Sequence, residues 1–448
     1  MKLHWTVRKM AEITKGALQS SAPDTLVTSI VTDSRVVSKG DCFVALKGEN
    51  FDAHQFIPQV LKKGAGVVIA QKGYTVPAQS AASFILVENT LKALQTLAQY
   101  HRLNSTLKVA AITGSNGKST TKQMLRAICS VAGETVANMG NLNNQFGVPF
   151  SLLEIQPKHK FGVFELGASH PGDIEETATL AVPDVAVITN VGPSHLEFFH
   201  DLETVYKTKS EIAKHLNAGG TLVYNIDDKF LAKLDTEFKG KRISFGFSER
   251  ADLRVLETEK FAFTYKGEAY LFDVQLERHD KLNAAAACAA AIALGLYVDH
   301  MKQGLAKFTP MPMRLEHIRK LNTNFILDCY NANPASMQNA LAILGKAKKA
   351  PRIAVLGDMK ELGPSSKEYH RLVARQILDN GVNYVFLAGP EMKYAYDRLQ
   401  DVTGLWVWYG ATPAEWLADL KKVLKQKGGT CLIKASHSMN FETIFKEI

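Results

Sequence analysis

The sequence predicts a three-domain α/β protein, and three observations carry that reading. The chain has 448 residues, which at roughly 150 residues per domain suggests about three domains. Short β-branched runs alternate with helical segments from Thr25 onward, the order that builds parallel sheets covered on both faces. One apolar strand, Lys108 to Ile112, runs directly into a glycine loop and then into a helical segment. Hydrophobic residues make up 46% and charged residues 22% of the chain. That balance excludes a disordered tail, a collagen-like repeat and a small disulfide scaffold.

In the first block, residues 1–88, the runs SIVTDSR, DCFVALKG, GVVIA and FILVEN read as strands, with a helix over Gln55 to Lys63. Leucines and alanines at helical spacing predict a connecting helix over Asn89 to Leu103, opening the second block, residues 89–312. After the strand Lys108 to Ile112 come a helix over Lys122 to Val131 and strands over Phe161 to Leu166, Val185 to Thr189 and Thr221 to Asn225. A helix is predicted over Glu203 to Leu216. Ala284 to Val298 is the longest apolar stretch. It is mostly alanine and shorter than the roughly 20 residues that span a bilayer, so it reads as a buried helix. After Thr309-Pro310-Met311-Pro312 the third block, residues 313–448, has strands over Phe325 to Asp328, Arg352 to Leu356, Tyr384 to Ala388 and Cys431 to Lys434. It reads as a second parallel α/β unit.

The N-terminus, MKLHWTVRKMAEITKG, has no apolar core of the kind an export signal needs. Five widely spaced cysteines without a CxxC pair read as free thiols of a reducing cytosol. A cytoplasmic protein is expected. Lys and Arg number 53 against 44 Asp and Glu, a net charge of +9. Nucleic acid, an acidic membrane surface and small polyanions all suit a basic protein. The densest basic runs, Lys346 to Lys349 and Lys421 to Lys425, sit at helical spacing and read as solvated faces. Charge alone leaves the partner open.

The glycine loop is Thr113-Gly114-Ser115-Asn116-Gly117-Lys118-Ser119-Thr120. Between a strand and a helix, its backbone N–H groups face phosphate oxygens and the helix dipole favours the anion. Lys118 is placed to reach the β/γ-phosphates, and the Ser119 hydroxyl to sit on Mg²⁺. A plain tight turn would use glycines too, but the strand–loop–helix setting favours phosphate. The standard G-x-x-x-x-G-K-[ST] spacing would need glycine where Ile112 stands, so this shortened loop points away from motor ATPases and G-proteins.

Glu165 ends the apolar strand Phe161 to Glu165, at the sheet edge where open α/β folds bind ligands. It is a candidate Mg²⁺ ligand, the alternative being a helix-capping acid. His195, in the loop after the next strand, repeats the arrangement. Lys207 and Lys209 follow in one helix, where a surface role is the default and spacing selects neither.

Taken in order, these motifs resemble those of the Mur ligase family, the ATP-dependent amide ligases of peptidoglycan precursor synthesis. The resemblance rests on TGSNGKST, GNLNNQFGVP, FELGAS, NVGPSHLEFF, NIDD from Asn225 and HDKLNAAAA from His279. It continues through PMPMRLE, which carries Arg314, then DCYNANPASM from Asp328, AVLGDMKELG from Ala354 and LIKASHSM from Leu432. TDSR, GDCFVALKGENFDAH and GAGVVI resemble the family's UDP-binding domain. YNANP followed by Ser336-Met337, and GDMKELG with His370 beyond it, are similar to the branch that joins D-Ala-D-Ala to UDP-MurNAc-tripeptide. The DNPR signature of the branch adding diaminopimelate or lysine is absent.

The resemblance implies an N-terminal α/β UDP-binding domain, a central P-loop ATPase-like parallel sheet and a C-terminal Rossmann-like α/β domain. It implies that ATP phosphorylates the tripeptide carboxylate and that the amine of D-Ala-D-Ala attacks the acyl phosphate, with two Mg²⁺ ions assisting. By resemblance Ser119 and Glu165 hold one ion, while His195 and a carbamylated lysine hold the other. The family's K-x-E-I pattern matches Lys209 to Ile212 and so selects Lys209 over Lys207. Lys118, His195, Lys209 and Arg314 are then the expected catalytic groups. Gly114 through Thr120, Asn283, Arg314 and Asp328 are expected on the nucleotide, with His279 on its adenine side.

The same resemblance places Asn143, Asn144, Asn331, Asn333, Lys434 and Ser436 toward tripeptide, phosphate and dipeptide, and Ser34, Arg35, Lys47 and His54 toward the UDP-sugar. A monomer without a nucleic-acid partner or a membrane span is expected, closing about a hinge near Pro310 to Arg314. Asp280, Ala53, Ala435 and His437 replace the family's usual Asn, Gly, Gly and Arg. None lies in the loop or at Glu165, His195 or Lys209, so the chemistry is expected to survive. The alternatives are a tripeptide-forming or folylpolyglutamate-synthase-like ligase, and a nucleotide-binding protein without catalysis. Diaminopimelate and lysine both stay open as the tripeptide's third residue.

Overall fold

The computed structural model describes residues 5–48 and 51–448. Residues 1–4 and 49–50 of the first predicted block lie outside the described residues. Three sheets follow one another along the chain. The first contains β1 (Ala17–Gln19), β2 (Ile30–Val31), β3 (Cys42–Val44), β4 (Val67–Gln71) and β5 (Ser83–Val87), in the order β1-β5-β4-β3-β2. Only β1 is antiparallel to its neighbour. Both faces of β4 and β5 are covered, hence their unbroken apolar runs. β2 and β3 are shorter than SIVTDSR and DCFVALKG predict. Buried Asp41 organises that stretch instead, accepting from the Thr28 and Ser29 hydroxyls at 2.9 and 2.6 Å. The helix expected over Gln55 to Lys63 is a 3₁₀ turn, Ala53–Phe56, followed by an α-helix, Ile57–Lys62. Pro58 sits in the first turn of that helix, where its missing N–H costs nothing.

The central sheet contains β6 (Lys108–Thr113), β7 (Thr135–Ala137), β8 (Phe161–Glu165), β9 (Val185–Ile188), β10 (Thr221–Asn225), β11 (Lys241–Gly246), β12 (Leu253–Val255), β13 (Lys260–Tyr265) and β14 (Glu268–Gln275). Their order is β14-β13-β12-β11-β10-β9-β6-β8-β7. Pairing is parallel from β7 to β12 and antiparallel across β12, β13 and β14. That antiparallel ribbon is not anticipated by the strand–helix alternation. Its inner face is sealed by Phe261, Phe263 and Phe272, all buried, with Phe261 and Phe272 ring centroids 5.0 Å apart.

Three helices stack over one face of this sheet. The helix Lys118–Ala132 leads from the glycine loop, and Arg278–Ala293 and Val298–Ala306 pack beside it. Ala284 to Ala291 are fully buried with nothing larger than Cys288 among them. At Gly304 an added Cβ would lie 2.4 Å from the Ile128 Cα, so the backbones nearly touch. The apolar stretch to Val298 is not one helix as predicted: Gly295, at φ +84°, turns the chain between two. On the other face, Thr90–Leu103 is tied to the central unit by Gln99 Nε2 to the Thr179 carbonyl (2.8 Å) and Arg102 Nε to the Ala181 carbonyl (2.9 Å). Its apolar side shares one core with the first sheet. The helix predicted over Glu203 to Leu216 is α over Leu202–Ser210 and 3₁₀ over Glu211–His215.

The third sheet contains β15 (Glu316–Lys320), β16 (Thr323–Leu327), β17 (Arg352–Gly357), β18 (Tyr384–Ala388), β19 (Trp406–Gly410) and β20 (Gly429–Lys434). The order is β15-β16-β20-β17-β18-β19, with only β15 antiparallel. Apolar clusters fill both of its faces. All five cysteines are buried free thiols. Among the described residues no helix is long and apolar enough to cross a membrane.

Candidate functional site

The C-terminal ends of β6, β8 and β9 lie side by side, and each delivers one part of the site. β6 ends in the glycine loop. Gly114, at φ +146°, leaves no room for a side chain, since a Cβ would meet Thr189 Oγ1 at 1.9 Å. Gly117, at φ +80°, is pressed against Asn283, with 2.2 Å from a built Cβ to Oδ1. Residues after β9 brace the loop from outside. The Thr189 hydroxyl donates to the Asn116 carbonyl (2.6 Å), and the Asn116 N–H donates to Asn190 Oδ1 (2.9 Å). The Gly192 N–H donates to Ser115 Oγ at 2.9 Å. Lys118 Nζ folds over the loop onto the Gly114 carbonyl at 2.9 Å.

β8 delivers Glu165, buried and ringed by donors. Ser119 Oγ donates to its Oε2 at 2.6 Å and Asn143 Nδ2 to its Oε1 at 2.8 Å. Lys122 Nζ stands 3.8 Å from Oε2. Burial pushes this carboxyl up, but Lys118, Lys122 and the two hydrogen bonds outweigh it and hold Glu165 below the usual carboxylate range. The helix-capping alternative does not describe these contacts. Burial lowers Lys118 and Lys122 below an ordinary lysine, and the Glu165 charge counters in part.

β9 leads to His195, whose backbone is left-handed at φ +51°. Its Nδ1 lies 2.5 Å from Glu361 Oε2, a residue of the third domain. Lys209 ends the helix Leu202–Ser210 with its side chain buried. Burial first, and Lys118 second, push its amine well below the ordinary lysine value. Lys207 on the same helix is exposed.

The third domain closes the site. Arg314 Nη2 donates to Ser119 Oγ at 2.9 Å while its guanidinium lies over the Tyr330 ring, 4.0 Å from the centroid. Asn333 Nδ2 donates to Asn116 Oδ1 at 2.8 Å, and its Oδ1 caps the helix Pro334–Gly345. Lys434 Nζ is locked onto Asp328 Oδ2 at 2.6 Å.

Two cavities meet at this seam and share Asn116, Gly117, Arg314, Asp328 and Ser336. The first, about 380 Å³, is lined by the apolar Phe245, Phe308, Pro310 and Met311 together with His279, Asp280 and Asn283. Asp280, the departure from the family pattern, accepts from Asn283 Nδ2 at 3.1 Å. The second, about 480 Å³, is polar and holds Lys118, Ser119, Asn143, Asn144, Glu165, His195, Asn331 and Lys434. Lys209 and Ser436 line neither cavity. The Ser436 hydroxyl instead accepts the Lys360 N–H at 2.9 Å.

Ser34, Arg35, Lys47 and His54 lie on the first domain, away from both cavities. Arg35 and Lys47 pair with Asp33 and Asp52 at 2.7 and 3.7 Å. Both His54 ring nitrogens are engaged, by Asp52 and by the Gln71 N–H.

Sequence reasoning missed Lys122, Asn138, Tyr330 and Glu361. Asn138 clamps the end of β8, accepting the Glu165 N–H and donating to the Glu165 carbonyl, each at 2.9 Å. Lys122 was findable: three residues beyond Ser119, it shares that helix face. Tyr330 and Glu361 lie inside motifs already singled out, but nothing in their spacing reveals partners so distant in sequence.

Fold and site together define a phosphate-loop α/β protein whose polyphosphate subsite is completed by a second α/β unit. Residues 26–102 match the model of the Mur ligase family, catalytic domain, residues 112–291 the Mur ligase middle domain, and residues 313–437 the Mur ligase, glutamate ligase domain. A UDP-N-acetylmuramoyl-tripeptide–D-alanyl-D-alanine ligase of Buchnera aphidicola is 34% identical over 98% of this chain and 97% of its own. A crystal structure of MurF from Acinetobacter baumannii is 34% identical, with a TM-score of 0.91 over 99% and 98% of the two chains. MurF from Thermotoga maritima, solved in complex with ADP, is 31% identical, with a TM-score of 0.83 over 93% and 96%. The chain belongs to the Mur ligase family.

Proposed function

We propose that this chain joins D-alanyl-D-alanine to UDP-MurNAc-tripeptide at the expense of ATP, making the pentapeptide precursor of peptidoglycan. The observation that carries the reading is the seam itself. Arg314, from the third domain, bonds Ser119 of the phosphate loop where an apolar-walled cavity opens into a polar one. A nucleotide fits with its base in the first cavity and its phosphates at the loop, facing a peptide carboxylate in the second.

The residues present fit Mg²⁺. Ser119 Oγ and Glu165 Oε2 offer hard oxygen donors 2.6 Å apart around an ionised carboxylate. Among the described residues no group of three His, Cys, Asp or Glu forms a cage, so the protein would supply only part of each ion's shell. His195 and a carbamylated Lys209 would hold a second ion. The depressed Lys209 amine suits carbamylation, which needs the neutral form. When bound, the two ions supply charge neutralisation between mutually repelling anions.

This chain's own groups do the rest. Lys118 and the loop N–H groups hold the β/γ-phosphates, and Arg314 steadies the γ-phosphate as the tripeptide carboxylate attacks it and ADP leaves. Asn143 and Asn144 orient the tripeptide end. Asn331, Asn333, Lys434 and Ser436 organise the side from which the dipeptide amine approaches the acyl phosphate. Asn283 and His279 face the adenine, and Asp328 lies near the ribose-phosphate side. Ser34, Arg35, Lys47 and His54 take the UDP-sugar.

On this reading residues 1–88 bind the UDP precursor, 89–312 perform the ATP chemistry and 313–448 deliver the dipeptide, in a cytoplasmic monomer. Phosphate release from ATP tests it, with tripeptides carrying diaminopimelate or lysine and either D-Ala-D-Ala, a single amino acid or glutamate as acceptor. Release should need both tripeptide and dipeptide. ATP turnover indifferent to both overturns the proposal.

A further inference from the structure

Glu361 belongs to none of the roles assigned above, yet it reaches across the domain seam to His195. It follows β17 in the third domain, in a left-handed turn at φ +62°. The turn is tied down from behind: the Met359 N–H donates to His370 Nε2 at 3.0 Å and the Lys360 N–H to Ser436 Oγ at 2.9 Å. It is pressed against the central domain in front. The Glu197 N–H donates to the Glu361 carbonyl at 3.1 Å, and a Cβ at Gly363 would lie 2.9 Å from the Glu197 Cα. The carboxylate then meets His195 Nδ1 at 2.5 Å.

We infer that Glu361 is a positioning residue that fixes the tautomer and ring orientation of His195, so that the second ion's protein ligand is presented properly only when the third domain is docked. This rests on the reading of His195 as a Mg²⁺ ligand. A carboxylate beside Nδ1 accepts a hydrogen bond from Nδ1–H and so favours the tautomer whose Nε2 lone pair can bind metal, the usual arrangement behind a ligating histidine. The left-handed His195 backbone is held by the same turn, whose Glu361 carbonyl accepts the Glu197 N–H. His370, a residue of the dipeptide-adding pattern, and Ser436 thereby act on the metal side of the site through this one turn.

The test compares the full-length protein with Glu361→Gln and Glu361→Ala. Long-range ¹H–¹⁵N spectra of histidine-labelled protein, with His195→Gln for assignment, report the tautomer without any substrate. The wild type and Glu361→Gln, which retains an acceptor oxygen, should show the Nδ1–H form, and Glu361→Ala should lose it. The half-saturating Mg²⁺ concentration for ATP turnover should rise about 10-fold or more in Glu361→Ala, with kcat largely recovered at saturating Mg²⁺. Mg²⁺ titration of ADP-dependent thermal stabilisation should show the same shift. An unchanged tautomer, or an unchanged Mg²⁺ dependence in folded Glu361→Ala, overturns the inference. Because the tautomer is read on the free protein, a chain lacking ligase activity would sink the functional reading separately.

Discussion

Lys118, Ser119 and Lys122 leave one helix within five positions, and Glu165 answers all three, so the phosphate and metal subsites share a single charge balance. Lys209 enters that balance from behind, where burial and the Lys118 charge disfavour its ammonium form. Lys209→Ala should lower phosphate release more than about 100-fold; near-wild-type turnover would remove Lys209 from the mechanism. Gly117 has the opposite constraint, a backbone that only glycine adopts freely and no space beside Asn283. Gly117→Ala adds roughly 1–2 kcal/mol of left-handed strain and displaces Asn283. The KM for ATP should therefore rise about tenfold, while an unchanged KM would show that the loop relaxes.

The helix Ser366–Asp379 carries a titratable link to the seam. Buried His370 accepts the Met359 N–H through Nε2, while its Nδ1–H donates to the Ser366 carbonyl at 2.8 Å. Burial, the dominant influence, holds it below the ordinary histidine value. The unfolded chain therefore takes up a proton first as pH falls through about 6.5. Stability present above that pH is lost progressively down to the lower folded-state value. His370→Gln should show a smaller fall in urea midpoint between pH 7 and pH 5 than the wild type. Equal falls would assign the acid sensitivity elsewhere.

Elements differed in how openly the sequence announced them. β4, β5, β6, β8, β9 and β20 are continuous apolar runs between turn residues, and they were readable. The ribbon β12 to β14 was not, because exposed Lys260, Glu268 and Asp273 dilute the pattern. Ala284 to Val298 misled for another reason: apolar residues continue on both sides of Gly295, and only the backbone turn there divides the stretch into two helices. The loop, Glu165 and His195 were legible because chemistry fixes their residue types at strand ends. Tyr330 and Glu361 work through contacts across the seam, which no local spacing encodes.

At the scale of the molecule, the site exists only where the second and third domains meet. The contacts Arg314–Ser119, Asn333–Asn116 and Glu361–His195 bridge them at 2.9, 2.8 and 2.5 Å. Motion about the linker Pro310 to Arg314 would open and close all three together. Solution scattering should therefore report a smaller radius of gyration with ATP, Mg²⁺ and tripeptide present than without them; identical curves would argue against closure. The net charge of +9 faces substrates that are all anionic. If that charge steers them, kcat/KM should fall as salt rises from 50 to about 300 mM while kcat holds. A flat profile would reduce the charge to surface composition.

The alanine run against the loop helix carries a consequence for how this protein can vary. From Ala284 to Ala291 the spacing of this helix against its neighbours is set by side chains of nearly minimal size, and at Gly304 the spacing of the next helix against the loop helix is set by none at all. Almost every substitution there is an enlargement, and an enlargement lifts Arg278–Ala293 away from the sheet, carrying Asn283 and the base-side wall with it. Mutational tolerance along this helix is therefore one-sided. Its innermost positions act as a shim of fixed thickness, and drift in nucleotide preference is more accessible through the larger apolar cavity residues Phe245, Phe308 and Met311 than through the helix that looks most replaceable.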